Sequence, residues 1–193
     1  MKKNLITALL LTTLPLLAHA DETARIRLFD QNQVSTKLYP NQSCHNTFFS
    51  GKGIKVSGGM GSAFGSLLGL SSSKSIGIPE TDSTHNLKEK SGVLSKAYYK
   101  EYEIPAQQPS TVSMAFLQMS NFTNVNGKVK PRIESTGGSS CSDNVSFIAK
   151  PNTDYEANFT NECRLTISEV VKKGEGQLAD LVPIEVQVAP KCS

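Results

Sequence analysis

Cys44, Cys141, Cys163 and Cys192 are the residues of this chain whose chemistry is most narrowly constrained by their spacing. Thiols form disulfides, bind soft metals or act as nucleophiles. None of the four sits in a C-x-x-C pair, and only His45 among the histidines lies within four residues of any of them. Structural zinc sites are built from local ligand pairs. The spacing therefore favours two disulfides, and no metal site is expected.

His85 closes the run Glu80-Thr81-Asp82-Ser83-Thr84-His85, which places acid, hydroxyl and imidazole close together. Those are the side-chain types of a nucleophilic triad. They are also the composition of an ordinary loop, where short polar side chains bond nearby backbone. The chain has no G-x-S-x-G elbow. No catalytic residue is assigned; Asp82 and His85 mark an alternative, an envelope hydrolase or its inhibitor- or immunity-type partner. Glu101, Glu103, Glu134, Glu156, Glu162 and Glu169 are scattered and mostly alternate with apolar residues, so they are expected to face water. There is no tryptophan, which weighs against a sugar-binding platform, and Tyr98, Tyr99 and Tyr102 form the main aromatic cluster.

Gly59-Met60-Gly61-Ser62-Ala63-Phe64-Gly65 reads G-x-G-x-x-x-G, one residue too long for a dinucleotide loop, and no G-K-[ST] follows. No cofactor is expected. Gly61, Gly65 and Gly69 recur every four residues, with Met60, Phe64, Leu67 and Leu68 on the adjacent stripe of a helix. A small-residue stripe lets another backbone approach closely, although each interior glycine costs about 1 kcal/mol of helix propensity. These seven residues are the candidate interaction surface. A membrane-active role for residues 59–70 is a further alternative.

The elements around these residues read as strands. Apolar side chains recur every second residue at Ile26 and Leu28, at Val112, Met114 and Phe116, and at Val145, Phe147 and Ala149. The pattern continues at Tyr155, Ala157 and Phe159, at Leu165 and Ile167, and at Ile184, Val186 and Val188. Period two places each set on one side of a pleated strand, the other side wet. Turn residues separate them: Asp30-Gln31-Asn32, Asn126-Gly127, Pro151-Asn152-Thr153-Asp154 and Asn161-Glu162. Many short strands with one apolar face predict an all-β, immunoglobulin-like antiparallel β-sandwich of seven to ten strands. Residues 57–92 lack the alternation and form a glycine-rich insertion.

This strand reading selects a cysteine pairing. A hairpin folded about Asn152 sets position 149 opposite 155 and 141 opposite 163, so Cys141 pairs with Cys163. Elimination leaves Cys44 with Cys192, which shares the parity of Val186 and Val188. In the chain-entropy account the shorter loop is worth about 3.4 kcal/mol and the longer about 5.

Residues 1–20 have the form of a secretory signal peptide: Lys2 and Lys3, an apolar run over residues 5–18, and Ala18-His19-Ala20 before Asp21. Residues 21–193 are then one domain, placed in the periplasm or the medium. The formal charge of +3 less the two lysines is +1, too small a field to attract nucleic acid. No transmembrane segment is expected after the cut. Four N-x-S/T sequences occur, at Asn41, Asn121, Asn144 and Asn158.

Residues 141–147, Tyr155-Glu156 and Cys163-Arg164-Leu165-Thr166-Ile167 resemble the C-terminal hairpin of small exported bacterial β-sandwich proteins that lack an assigned function. Ser75-Ile76-Gly77-Ile78-Pro79-Glu80-Thr81 adds slightly to that likeness. The resemblance covers about a third of the chain and implies no activity. The expectation is a disulfide-stabilised, non-catalytic binding module for a protein or an envelope component.

Overall fold

The computed structural model describes residues 22–30, 34–47, 52–56, 72–90, 97–116, 122–125, 128–131, 141–160 and 162–193. Among them are the strands β1 (Thr23–Asp30), β2 (Val34–Tyr39), β3 (Ile54–Lys55), β4 (Tyr98–Pro105), β5 (Pro109–Phe116), β6 (Phe122–Val125) and β7 (Lys128–Pro131). Then come β8 (Cys141–Ile148), β9 (Asp154–Phe159), β10 (Leu165–Val171), β11 (Asp180–Pro183) and β12 (Gln187–Val188). A four-residue helix α1 (Asp82–His85) and a 3-10 turn (Leu87–Lys90) lie between β3 and β4. The chain is mostly β, as the alternation predicts.

Two five-stranded sheets pack face to face: sheet I in the order β11-β10-β9-β1-β4, and sheet II in the order β12-β8-β5-β2-β3. Strands β6 and β7 form a separate two-stranded sheet. Pairing is antiparallel except between β1 and β9, which run parallel. The inward residues are the period-two sets. Ala24, Ile26, Leu28, Ile104, Tyr155, Ala157, Leu165 and Ile167 from sheet I meet Val34, Leu38, Val112, Met114, Val145 and Phe147 from sheet II. Each large side chain so buried contributes about 1.5–3 kcal/mol. Val56 closes one open side, and Ile184 and Val186 pack on the core where the chain passes from β11 to β12. That passage breaks the expected strand: Val188 is 85% exposed at the rim.

Both expected disulfides are present, Cys44–Cys192 and Cys141–Cys163, but the hairpin used to infer the second is not. Strands β8 and β9 belong to different sheets. The turn at Pro151 and Asn152 carries the chain across the sandwich, with Asn152 at φ 53°, a left-handed conformation asparagine tolerates. The Asn152 amide donates to the Thr23 carbonyl (2.9 Å) and the Arg25 amide to the Thr153 carbonyl (3.0 Å), which steers β9 alongside β1. The disulfide Cys141–Cys163 thus joins the start of β8 to the β9–β10 turn and ties the two sheets together.

The expectation of one wet face per sheet is also corrected. On the outer face of sheet II, Lys37, Tyr39, Thr111 and Ser113 are buried. Residues 42–47 lie over them: the Tyr39 hydroxyl donates to the Asn46 carbonyl (3.2 Å) and the Thr111 hydroxyl to the Gln42 carbonyl (2.8 Å). The disulfide Cys44–Cys192 and a backbone pair between His45 and Lys191 fix this cover to the C-terminal residues. Burial lowers the pKa of Lys37, and neighbouring Lys55 lowers it further.

Candidate functional site

The outer face of sheet I is covered too, and its cover is the most elaborate polar structure among the described residues. Residues 74–81 cross it as a strap. At one end the Lys74 amide donates to the Tyr99 carbonyl and the Glu101 amide to the Lys74 carbonyl, both at 3.0 Å. At the other the Ala179 amide donates to the Glu80 carbonyl (2.7 Å). Beneath the strap, Ile78 packs with Val170, Ala179 and Leu181 in a small second core.

The ionic centre is Arg27, 1% exposed in the middle of β1. Its Nε and Nη2 donate to Glu101 Oε1 at 3.0 and 2.8 Å, and Nη1 donates to Glu156 Oε2 at 3.0 Å. Nη2 also donates to the Ile78 and Pro79 carbonyls of the strap, at 2.8 and 3.0 Å. The guanidinium lies 5.1 Å from the centre of the Tyr99 ring, within cation–π range. The three charged residues come from adjacent strands in register: Arg27 pairs with Glu101 across β1–β4 and with Glu156 across β1–β9.

Glu101 Oε2 accepts from the Ser75 hydroxyl (2.9 Å) and from the amides of Ile76 (2.6 Å), Gly77 (3.1 Å) and Ile78 (3.2 Å). Gly77 has φ +102°, which turns successive amides onto one oxygen, a backbone nest of the kind that binds anions. Burial pushes the Glu101 carboxyl up. The Ile76 amide, Arg27, the Ile78 amide and Ser75 outweigh it and hold the group below the usual carboxylate range. Glu156 accepts from the Thr81 hydroxyl (2.7 Å) and from Asn158 Nδ2 (2.8 Å). Further along the strap Arg25 forks onto Asp154, at 2.7 and 2.8 Å, and donates to the Ile76 carbonyl (3.1 Å).

This is a correction to the placement of acids from sequence: Glu101 and Glu156 are 3% and 0% exposed. One signal of it was legible. The side of β1 that carries Arg25 and Arg27 also carries Phe29, and the matching side of β4 carries Tyr99 beside Glu101. A wet face has no need of those rings, and Phe29 is buried, packed edge-on to Tyr99.

The other sequence candidates fall apart from this centre. Asp82 and His85 are exposed on α1, and among the described residues no hydrogen bond joins them. The Thr84 hydroxyl accepts from the Thr81 amide and donates to its carbonyl, both at 2.9 Å, so it stabilises the helix start. Ser83 Oγ reaches Asn158 Oδ1 at 3.4 Å. His45 lies beside the Cys44–Cys192 bridge. Tyr98 is buried, while Tyr99 projects from the opposite face. Met60, Gly61, Phe64, Gly65, Leu67, Leu68 and Gly69 lie outside the described residues, as do residues 1–21. Among the described residues no helix is long and apolar enough to cross a membrane, and no cluster of three or more metal-binding side chains occurs.

A second titratable group sits at the far end of β1. Asp30 pairs with Tyr98 in the β1–β4 register. Burial raises its pKa to about 6, against the hydrogen bond from Tyr98 and the charge of Lys100. Lys100 Nζ lies 5.4 Å from the centre of the Tyr98 ring and donates to the Val56 carbonyl (3.2 Å).

Comparison with known protein families, with curated proteins and with solved structures found no match to this chain.

Proposed function

We propose that this chain is an exported binding module. In this reading residues 1–20 are removed as a signal peptide, and residues 21–193 fold as one immunoglobulin-like sandwich in the periplasm or the medium. The domain then contacts a protein or an envelope component without catalysing a reaction. Two disulfides fit a protein that folds outside the cytoplasm.

The observation that carries the reading is the fate of the ionisable cluster. Arg27, Glu101 and Glu156 are sealed beneath the strap, where they bond to each other, to the main chain of residues 76–79 and to the side chains of Ser75, Thr81 and Asn158. Active sites hold such groups toward a cleft; here they fasten a third layer to a sheet. A scaffold so fixed suits presentation of surfaces. The proposed surface is the stripe Met60, Gly61, Phe64, Gly65, Leu67, Leu68 and Gly69. The residues that flank it are well anchored: Val56 takes the Lys100 ammonium, and Lys74 bridges Tyr99 and Glu101.

The test is retention. Immobilised residues 21–193 are expected to capture a specific envelope component, and a variant with Met60, Phe64, Leu67 and Leu68 changed to serine is expected to lose it. Capture indifferent to these changes removes the stripe, and no capture at all removes the binding reading. Export is checked by N-terminal sequencing of the released protein, which is expected to begin at Asp21.

A further inference from the structure

The strap begins as a strand and then leaves the sheet, and what it leaves behind is a vacant strand position. Strand β4 is the edge of sheet I. Its outward backbone groups belong to the odd-numbered residues, because the Tyr99 carbonyl and the Glu101 amide are the groups that meet Lys74. By the period of two, the Glu101 carbonyl and both Glu103 groups point the same way, and Pro105 has no N–H to offer. A strand continuing in register after Lys74 would place Ile76 opposite them. Instead the Ile76 amide turns to the Glu101 carboxylate and its carbonyl takes Arg25. Among the described residues nothing takes the place it vacates, and Glu103 is exposed.

The vacancy adjoins a cavity of about 350 Å³ whose walls include Glu22, Asn41, Glu103, Ile104 and Gln108. Its charge is acidic. Glu22 receives one bond, from Gln107 Nε2 at 2.6 Å. Glu103 pairs across the sheet with Arg25, whose guanidinium is already forked onto Asp154.

We propose that the Glu101–Glu103 edge of β4 takes an extended, basic peptide segment of a partner, added as a strand parallel to β4 where the strap departs. One residue of that segment donates its N–H to the Glu101 carbonyl and accepts from the Glu103 amide. Its side chain and the one two residues on point toward the cavity at Ile104 and are apolar. The residue between them lies on the side of Glu103 and carries the positive charge. Main-chain bonds supply the affinity and the alternate side chains the selectivity. The proposal rests on the reading of this chain as a binding module and names one partner chemistry for it.

The test uses three end-blocked pentapeptides, TVKVT, TVEVT and TVKVT methylated on the lysine N–H, against isotope-labelled protein of residues 21–193. TVKVT is expected to shift the amide resonances of residues 101–104 and to slow hydrogen exchange at Glu103. The methylated peptide has its methyl group away from the bonding N–H and is expected to bind as TVKVT does, whereas TVEVT is expected to bind at least about tenfold more weakly. Glu103→Pro deletes the donor at an edge position that accepts proline, and Glu103→Lys reverses the charge while keeping the donor. Either is expected to weaken TVKVT by about tenfold. If Glu103→Pro does not fold, Glu103→Lys carries the test. Equal binding of TVKVT and TVEVT, binding indifferent to both variants, or no response at residues 101–104 to any peptide at millimolar concentration overturns the proposal. An envelope component that is captured without moving those amides removes this site and leaves the binding module standing.

Discussion

Replacing Arg27 by methionine isolates the latch. The side chain keeps its apolar stem but loses five donated hydrogen bonds, to Glu101 (two), Glu156, Ile78 and Pro79. Two carboxylates, 3% and 0% exposed, then lose the cation they share. Removing one partner of a buried ion pair costs about 3–5 kcal/mol, a large share of a domain stability of about 5–15 kcal/mol. Arg25→Met is the control. Its bond to Asp154 is as short, 2.7 Å, but the arginine side chain is 35% exposed, so screening limits the loss to about 1 kcal/mol or less. Urea unfolding with disulfides intact measures both, and hydrogen exchange at the Ile76, Gly77 and Ile78 amides locates the damage. The pH dependence has a definite sign. In the native protein Glu101 titrates below its unfolded value, so its contribution is present above that value and fades as pH falls through the folded one. In Arg27→Met the Glu101 carboxyl loses one of the bonds that hold it down, so its pKa rises and the stability it adds above its unfolded value shrinks; the deficit against the native protein is therefore larger at neutral than at acid pH. A loss under about 1 kcal/mol at neutral pH, with the strap amides still protected, would refute the account of Arg27 as the latch.

Asp30→Asn is expected to stabilise the fold at pH 7–8. A carboxyl raised from 3.8 to about 6 adds stability that is complete below 3.8 and lost as pH rises through 6. The ceiling is about 3 kcal/mol, reduced to about 1–2 by partial hydration, and thermal unfolding at pH 4 and pH 8 shows whether the gain is confined to the higher pH. Ser110→Ala is expected to be neutral or to stabilise by up to about 1 kcal/mol, because the buried hydroxyl has no hydrogen-bond partner among the described residues. A loss above that figure in urea unfolding would show that it has one. Gly53→Ala is expected to cost more than about 1 kcal/mol. Gly53 has φ +86°, and a Cβ there would stand 2.5 Å from the Tyr39 ring, so an unchanged unfolding midpoint would contradict the packing of residues 52–56 on β2.

What the sequence carried was the inner half of each sheet. Ile26 and Leu28, Val112 and Met114, and Val145 and Phe147 reach the core because period two is set by the strand itself and by nothing distant. The outer half was not legible in the same way. Alternation says which residues share a side; it does not say whether that side meets water. Arg27 and Glu156 have the parity of solvent-facing charges and are buried because residues 74–81, remote in the chain, lie over them. Lys37 and Thr111 are covered in the same manner by residues 42–47. The pairing of Cys141 with Cys163 followed from parity even though the supposed hairpin is an arch between sheets, because both geometries bring position 141 and the turn after β9 to the same end of the sandwich.

The two covers differ in how they are held, and that difference bears on binding. The cover of sheet II is fastened covalently through Cys44–Cys192. The strap over sheet I is fastened by charge and by main-chain hydrogen bonds, with Ile78 as its main apolar anchor. A sheet edge is ordinarily protected by charge, by proline or by a covering segment, because open backbone recruits other chains. On β4 the protection is divided: Lys74 pairs the first part, Pro105 ends the last, and Glu103 leaves a charged gap between them. A like-charged or purely apolar strand is discouraged there, whereas a basic one meets both its backbone and its charge. In the proposed binding mode, the same residue that guards the edge against indiscriminate association gives it a preference for a basic segment.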